Sequence, residues 1–124
     1  MAYGSGLMDV VQSSTAGVAP QFNDGNGTQV GTLCRSWVNF GYVASAITVR
    51  ASFNVSSVTR SSTGIYVVNF TNAMSDANYS VVTSTLNYAV GVSATATSSF
   101  TLSNFNTTTT ASVDSTLVTA SVFR

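Results

Sequence analysis

The chain has 124 residues and only 6% of them are charged; four arginines and four aspartates cancel to a net charge of zero, and there is no histidine. Charged residues usually make up about 25% of a soluble domain. The composition argues against nucleic-acid binding, which needs clustered basic residues, and against catalysis by a histidine base. No apolar run approaches the roughly 18 residues of a membrane span, so membrane insertion is not expected.

The first 31 residues predict an extended, loop-like N-terminal arm. They hold six of the nine glycines and the only proline, Pro20. Only Met8 to Gln12 suggests a short strand, and the NDGNG segment at 23–27 predicts a turn. Because the arm has little apolar content, we expect it to become ordered on another surface. It shows no basic and apolar signal-peptide regions, and a lone cysteine fits a reducing compartment.

The segment TLCRSWVNF opens the second region, residues 32–124, which we interpret as one β-domain. Strand geometry predicts that Cys34, Ser36 and Val38 share one face and that Trp37 lies on the other. The chain has no histidine or second thiol to assist Cys34. A buried thiol and a packed indole are therefore favoured over a reactive site.

Alternation predicts a hairpin in the middle of the chain. The segment ITVRASFNV predicts a half-buried strand, and GIYVVNFT predicts a second with Tyr66, Val68 and Phe70 on one face. The polar residues 59–64 between them end in Gly64, which can adopt a positive φ. The first strand is predicted to place five apolar residues on one face: Ile47, Val49, Ala51, Phe53 and Val55.

Three later segments, ANYSVVTSTLNYAVGVS, SSFTLSNF and TASVDSTLVTASVFR, show the same alternation. In the last, Val118, Ala120 and Val122 share a face. Helix-favouring residues are scarce throughout. Six to eight short strands joined by polar turns predict an all-β protein, an antiparallel β-sandwich or a small barrel.

The residues offer little material for a reactive site. Zinc sites need clustered cysteine and histidine, and the NDGNGT segment brings one carboxylate to a possible cation. The four aspartates, Asp9, Asp24, Asp76 and Asp114, are far apart in sequence and are interpreted as turn formers and exposed charges. We therefore expect no catalytic residues, no metal and no cofactor. An enzyme acting on polysaccharide stays open only if two aspartates meet in space.

Several motifs resemble a module of tailed-phage fibre proteins, many of them from cyanophages. The segments GTLCRSWVNF, SFNVSSVTRSSTGIYVVNF, TNAMSDANYSVV and ASVFR are similar to the module's CRAWVNF, SFNVSSITDNGTGDYTVNF, TTAMPDANYxVV and VSVAVFR patterns. The resemblance covers about residues 9–124. The family's DNGTGD turn is RSSTGI here, so two acidic positions are lost. The arm resembles the linker before the module, and because it begins almost at Met1 we expect it to lack the long shaft of the family's fibres.

The resemblance implies a virion structural protein that forms a homotrimer and is assembled in the host cytoplasm. Because the shaft is missing, we expect a short appendage or a capsid decoration protein; the alternative is a receptor-binding tail-fibre tip that recognises host glycans. Loops 60–64, 84–91 and 103–110 would face outward. The residues expected to contact the virion are Met8, Val10, Val11, Pro20 and Phe22, and those expected to face a ligand are Tyr42, Arg60 and Tyr88.

Overall fold

The structure is a computed structural model that describes residues 10–15 and 20–124. The chain divides into two compact units, Met1–Leu33 and Cys34–Arg124. The described residues form ten β-strands and no helix. The predicted all-β class is therefore confirmed.

The described part of the first unit contains one small hairpin. Strands β1 (Phe22–Asn23) and β2 (Gln29–Gly31) pair antiparallel around the predicted turn. Asp24 Oδ1 accepts hydrogen bonds from the backbone N–H groups of residues 26 and 28, both at 2.9 Å, and Gly27 has a φ of +83°. The strand predicted from Met8 is not formed at residues 10–12, which are exposed and pair with no other strand, while residues 8 and 9 lie outside the described part.

The second unit is a β-sandwich of two four-stranded antiparallel sheets, which confirms the sandwich alternative. The first sheet has the order β4-β3-β10-β7 and the second the order β5-β6-β9-β8. The strands are β3 (Cys34–Val43), β4 (Ala46–Phe53), β5 (Val55–Ser62), β6 (Ile65–Phe70), β7 (Ser80–Thr85), β8 (Ala89–Ala96), β9 (Ser99–Phe105) and β10 (Val118–Phe123).

The core lies between the two sheets and follows the predicted alternation. In β6 every second side chain is buried, and β9 and β10 behave in the same way. Phe40 of the first sheet meets Tyr66 of the second edge to face, with ring centroids 5.2 Å apart. The buried apolar residues are Val38, Phe40, Val58, Tyr66, Val68, Phe70, Met74, Tyr79, Phe100, Leu102, Val118, Ala120 and Val122.

The prediction that residues 47–55 form one strand with a single apolar face is wrong. The partners of β4 on β3 shift by one residue at Arg50, which forms a β-bulge. Before the bulge Val49 pairs with Phe40, which is buried; after it Phe53 pairs with Trp37, which is exposed. One extra residue exchanges the two faces of a strand, so Phe53 lies on the outer face of the first sheet.

The same segment also breaks between the sheets at Asn54, which adopts a left-handed φ of 54°. Its side chain donates to the carbonyls of Arg35 and Asn72, both at 3.1 Å, and accepts from the Asn72 N–H at 2.7 Å. Asparagine tolerates this backbone conformation. The chain therefore leaves the first sheet at Phe53 and enters the second at Val55. The prediction that ITVRASFNV and GIYVVNFT form a hairpin is therefore wrong, because β4 and β6 lie in different sheets. The hairpin partner of β6 is β5, and the turn between them has only two residues, Thr63 and Gly64.

The start of β3 differs from the prediction too. A register shift at Arg35 interrupts the alternation before Ser36, so Cys34 pairs with Phe123 and is half-buried. The Cys34 Sγ lies 3.2 Å from the Ser36 carbonyl oxygen, to which it donates. Trp37 was expected to be packed, but it is 39% exposed because nothing in the described unit covers the outer face of the first sheet at that point. A structural role for this segment agrees with these contacts.

Candidate functional site

The strand order brings four connections to the same end of the sandwich, here called the loop end. They are the turns at residues 44–45 and 63–64 and the loops at residues 86–88 and 106–117. The register links them, since Phe40 and Thr85 both pair with Val118, and Ala89 pairs with Phe105. The other end carries residues 71–79, the turn at 97–98, the start of β3 and the end of β10.

Asp114 is the centre of a hydrogen-bonded cluster at the loop end. Its Oδ1 accepts from Arg60 Nε, the Gly64 N–H and the Tyr66 hydroxyl, each at 2.9 Å, while its Oδ2 accepts from Arg60 Nη2 at 2.7 Å. The arginine fork and the carboxylate form a bidentate pair, which fixes direction as well as distance. This one carboxylate joins loop 106–117 to both strands of the β5–β6 hairpin.

Glycine lets loop 106–117 approach both sheets. A Cβ on Gly64 would lie 2.6 Å from the Asn104 carbonyl oxygen and 2.8 Å from the backbone N and O of Val113, and its φ is +70°. A Cβ on Gly41 would lie 2.0 Å from the Thr116 carbonyl oxygen. Both contacts are with backbone atoms, which cannot rotate away, so a larger residue at either position would displace the loop.

A second arginine also holds the loop. Arg50 donates from Nη2 to the Thr116 carbonyl at 2.7 Å and from Nη1 to Asn39 Oδ1 at 3.3 Å. Arg50 is on the edge strand β4 and Arg60 on the edge strand β5. Two of the four arginines thus bind loop 106–117, one from each sheet.

The cluster sets its own protonation states. Hydrogen bonding to Arg60 lowers the pKa of Asp114 to about 2, although partial burial opposes the shift. Burial raises the pKa of Tyr66 to about 12. At neutral pH the carboxylate is therefore charged and the phenol is protonated. Neither of these two groups has the pKa near 7 that favours general acid–base catalysis.

The structure brings together two of the three predicted ligand-facing residues. The Arg60 guanidinium carbon lies 4.6 Å from the centroid of the Tyr42 ring, a cation–π contact between the two sheets. One face of Tyr42 is therefore covered by Arg60, and the ring also packs against the core. Tyr88 lies at the same end in loop 86–88 and is exposed, but it is not among the partners of Asp114.

The predicted outward-facing loops all lie at the loop end, but their bounds differ: the first two are shorter than expected, whereas the third begins at residue 106 and extends to residue 117. Residues 60–62, 84–85, 89–91 and 103–105 belong to strands. The tip of the longest loop is polar and exposed from Thr107 to Thr110. It is shaped by Asn106, whose Oδ1 accepts from the N–H groups of Thr108 at 2.8 Å and Thr109 at 3.2 Å. The tip thus exposes hydroxyl groups on a loop whose later residues are fixed by the hydrogen bonds of Asp114 and Arg50.

The predicted virion-contacting residues are mostly exposed within the described part of the first unit. Val10, Val11 and Phe22 are exposed and Pro20 is half-buried. Met8 lies outside the described residues. The four described members offer apolar surface, and their role in attachment stays a prediction.

Other chemistry finds little support in the described chain. Its residues contain no group of three or more histidine, cysteine or acidic side chains that could hold a metal ion. Asp76 pairs with Arg124 beyond the end of β10, whereas Asp114 precedes the start of that strand, so the two carboxylates lie at opposite ends of the sandwich. None of the described segments forms a helix able to cross a membrane.

The sequence interpretation missed Asp114 and Tyr66 as partners. Asp114 was taken for a turn former or an exposed charge, and Tyr66 for an alternating core residue. They are separated by 48 residues from one another, and Asp114 by 54 from Arg60. No spacing pattern in one sequence reveals such a contact.

The comparisons with known proteins add no relative. No protein-family model matches the chain, and neither the curated proteins nor the solved structures contain a match.

Proposed function

We propose that this chain is a phage virion structural protein, a trimeric short appendage or capsid decoration protein. In this proposal the N-terminal arm, residues 1–31, binds a larger virion protein, and the β-sandwich projects its loop end outward. The motif resemblance described above supports the proposal, as does the way in which the sandwich uses its few charges.

The use of charge is the observation that carries the proposal. Arg60 and Asp114 bind one another, Arg124 binds Asp76, and Arg50 holds a loop carbonyl. These side chains serve to hold the fold together. The remaining surface is rich in serine, threonine and asparagine, which bind water without depending on salt or pH. A particle exposed to changing media benefits from such a surface.

A receptor-binding tip is the second candidate, and the groups exposed at the loop end support it. The exposed hydroxyls of Thr107–Thr110 and the exposed ring of Tyr88 lie at that end. Side chains with hydroxyl groups or aromatic rings can bind sugars although they carry no charge. In this candidate Tyr88 would stack on a saccharide, whereas Tyr42 would serve mainly to hold Arg60.

The amount of this protein in purified virions separates the two candidates. Stained gels of washed particles, calibrated against the major capsid protein, give the copy number. A decoration protein is expected in hundreds of copies on the head, and a fibre tip in a few dozen or fewer on the tail. Absence from washed particles would overturn both.

A further inference from the structure

One amide side chain is buried between the two sheets, in a row of inward-facing positions that is otherwise apolar. In β9 these positions hold Phe100, Leu102 and Asn104, so an asparagine stands where the alternation predicts a third apolar residue. Asn104 is 0% exposed. A buried amide is costly unless its polar atoms have hydrogen-bond partners, so each polar atom of Asn104 needs one.

All but one of the polar atoms of Asn104 have a partner. Its backbone N–H donates to the Gly64 carbonyl at 2.8 Å, and its carbonyl accepts from the Val113 N–H at 3.2 Å. The side-chain Nδ2 donates to the Thr85 hydroxyl at 3.4 Å, a contact between the second sheet and the first. Among the described residues, Asn104 Oδ1 is the only buried side-chain nitrogen or oxygen atom without a hydrogen-bond partner.

Turning the amide over does not supply the missing partner. The Leu117 carbonyl receives three donors, the hydroxyls of Thr85 at 3.1 Å and Ser115 at 2.9 Å and a backbone N–H at 3.1 Å. A carbonyl oxygen has two lone pairs, so the Thr85 hydroxyl can instead donate to Asn104 when the amide is turned over. Nδ2 then takes the place of Oδ1 and is the atom left over. In either orientation one end of the amide lacks a partner within the described chain.

We propose that a water molecule is bound at this end of the Asn104 amide, between the sheets and next to loop 106–117. Water can donate to Oδ1 or accept from Nδ2, so it satisfies the amide in both orientations. Buried waters usually make about three hydrogen bonds to polar groups that the chain leaves unsatisfied. The hydroxyl oxygens of Thr85 and Ser115 each accept one hydrogen bond and keep a lone pair for a further donor.

The chemistry of the site favours a neutral ligand. An amide and two hydroxyls bring no negative charge, whereas calcium sites use carboxylates. The carboxylate of Asp114 is already bound to Arg60 and to two further donors. The water would join β9, β7 and loop 106–117 from inside the sandwich, in addition to the contacts of Asp114 and Arg50. This inference concerns the sandwich alone and does not depend on the proposed function.

A crystal structure of the full chain, at a resolution that shows individual waters, tests the site directly. We expect one isolated density peak about 2.7–3.2 Å from the end of the Asn104 amide that faces away from Thr85. A structure without a peak at this position would overturn the inference. A peak about 2.3–2.6 Å from Oδ1, with a full shell of oxygen ligands, would identify a cation and would overturn it as well.

Oxygen-17 relaxation dispersion tests the site in solution, because it counts waters that stay bound for long times. Asn104→Leu keeps the branched shape of the side chain but removes both polar atoms, and it should lose one long-lived water. The matched control is Asn69→Leu, which removes an amide bonded to the Ser57 hydroxyl at 3.0 Å and should lose none.

The outcomes of the solution experiment are distinct. An Asn104→Leu variant that keeps the full number of long-lived waters would overturn the inference, and so would an equal loss in Asn69→Leu. Far-UV circular dichroism verifies that both variants are folded. Should Asn104→Leu fail to fold, the crystal structure of the wild-type chain still decides.

Discussion

Replacing Asp114 with asparagine tests whether one carboxylate fastens the loop end. The amide keeps the size of the side chain and one oxygen, but it loses the charge that pairs with both nitrogens of Arg60. The Gly64 N–H and the Tyr66 hydroxyl keep an acceptor. The variant therefore removes mainly the charged part of the cluster.

The expected loss follows from the pKa of Asp114. A carboxyl with a pKa of about 2 in the folded chain and 3.8 when unperturbed contributes up to about 2.4 kcal/mol at neutral pH. The side chain is 21% exposed, and solvent screens part of this interaction. We expect Asp114→Asn to lower the free energy of unfolding by about 1–2 kcal/mol, which lowers Tm by roughly 5–15 °C in a domain of this size.

The pH dependence gives the test its direction. Because the folded pKa is depressed, the contribution is present above the unfolded pKa and is lost as the pH falls from about 4 through 2. Urea unfolding of wild type and variant, at one protein concentration, should show the difference at pH 7 and a much smaller one near pH 2.5. The control is Asp76→Asn, which breaks the more exposed pair with Arg124 and should cost less at pH 7. Equal stability of wild type and Asp114→Asn at pH 7 would refute the reasoning. A difference in the free energy of unfolding that stays the same between pH 7 and pH 2.5 would also refute it.

Three further predictions follow from single features. Gly64→Ala forces a Cβ against backbone atoms at a positive φ, and it should lower the free energy of unfolding by about 2 kcal/mol or more. Gly91→Ala, where no atom lies within 4 Å of the added Cβ, should lower it little in the same thermal unfolding experiments. Because burial raises the pKa of Tyr66 to about 12, stability should fall as the pH rises from 10 through 12, and Tyr66→Phe should flatten that fall in alkaline unfolding curves. Deleting residues 1–31 should keep the near-UV circular dichroism of the sandwich but prevent incorporation into virions; a truncated chain that still joins particles would contradict the assigned anchor.

The alternation of apolar residues was enough to predict the sheet class and most buried positions. It worked where a strand keeps a regular register, as in β6 and β10. It failed at β4, because a bulge at Arg50 and a left-handed Asn54 both depend on partners from other strands. Periodicity describes a strand in isolation, whereas bulges are decided by the strand beside it.

The candidate site was predictable only in its parts. The turn that ends at Gly64 and the positive φ of that glycine could be anticipated from turn chemistry. The hydrogen-bonded cluster around Asp114 could not be predicted, because it joins segments about 50 residues apart and a single sequence does not reveal such long-range contacts. The exposure of Trp37 was missed because the outer face of a sheet can be covered by a partner subunit as well as by the chain itself.

Quantification of the protein in washed virions tests the central claim most directly. We predict a fixed number of copies per particle that is a multiple of three. A particle preparation that is fully infectious and contains none of this chain would contradict the account.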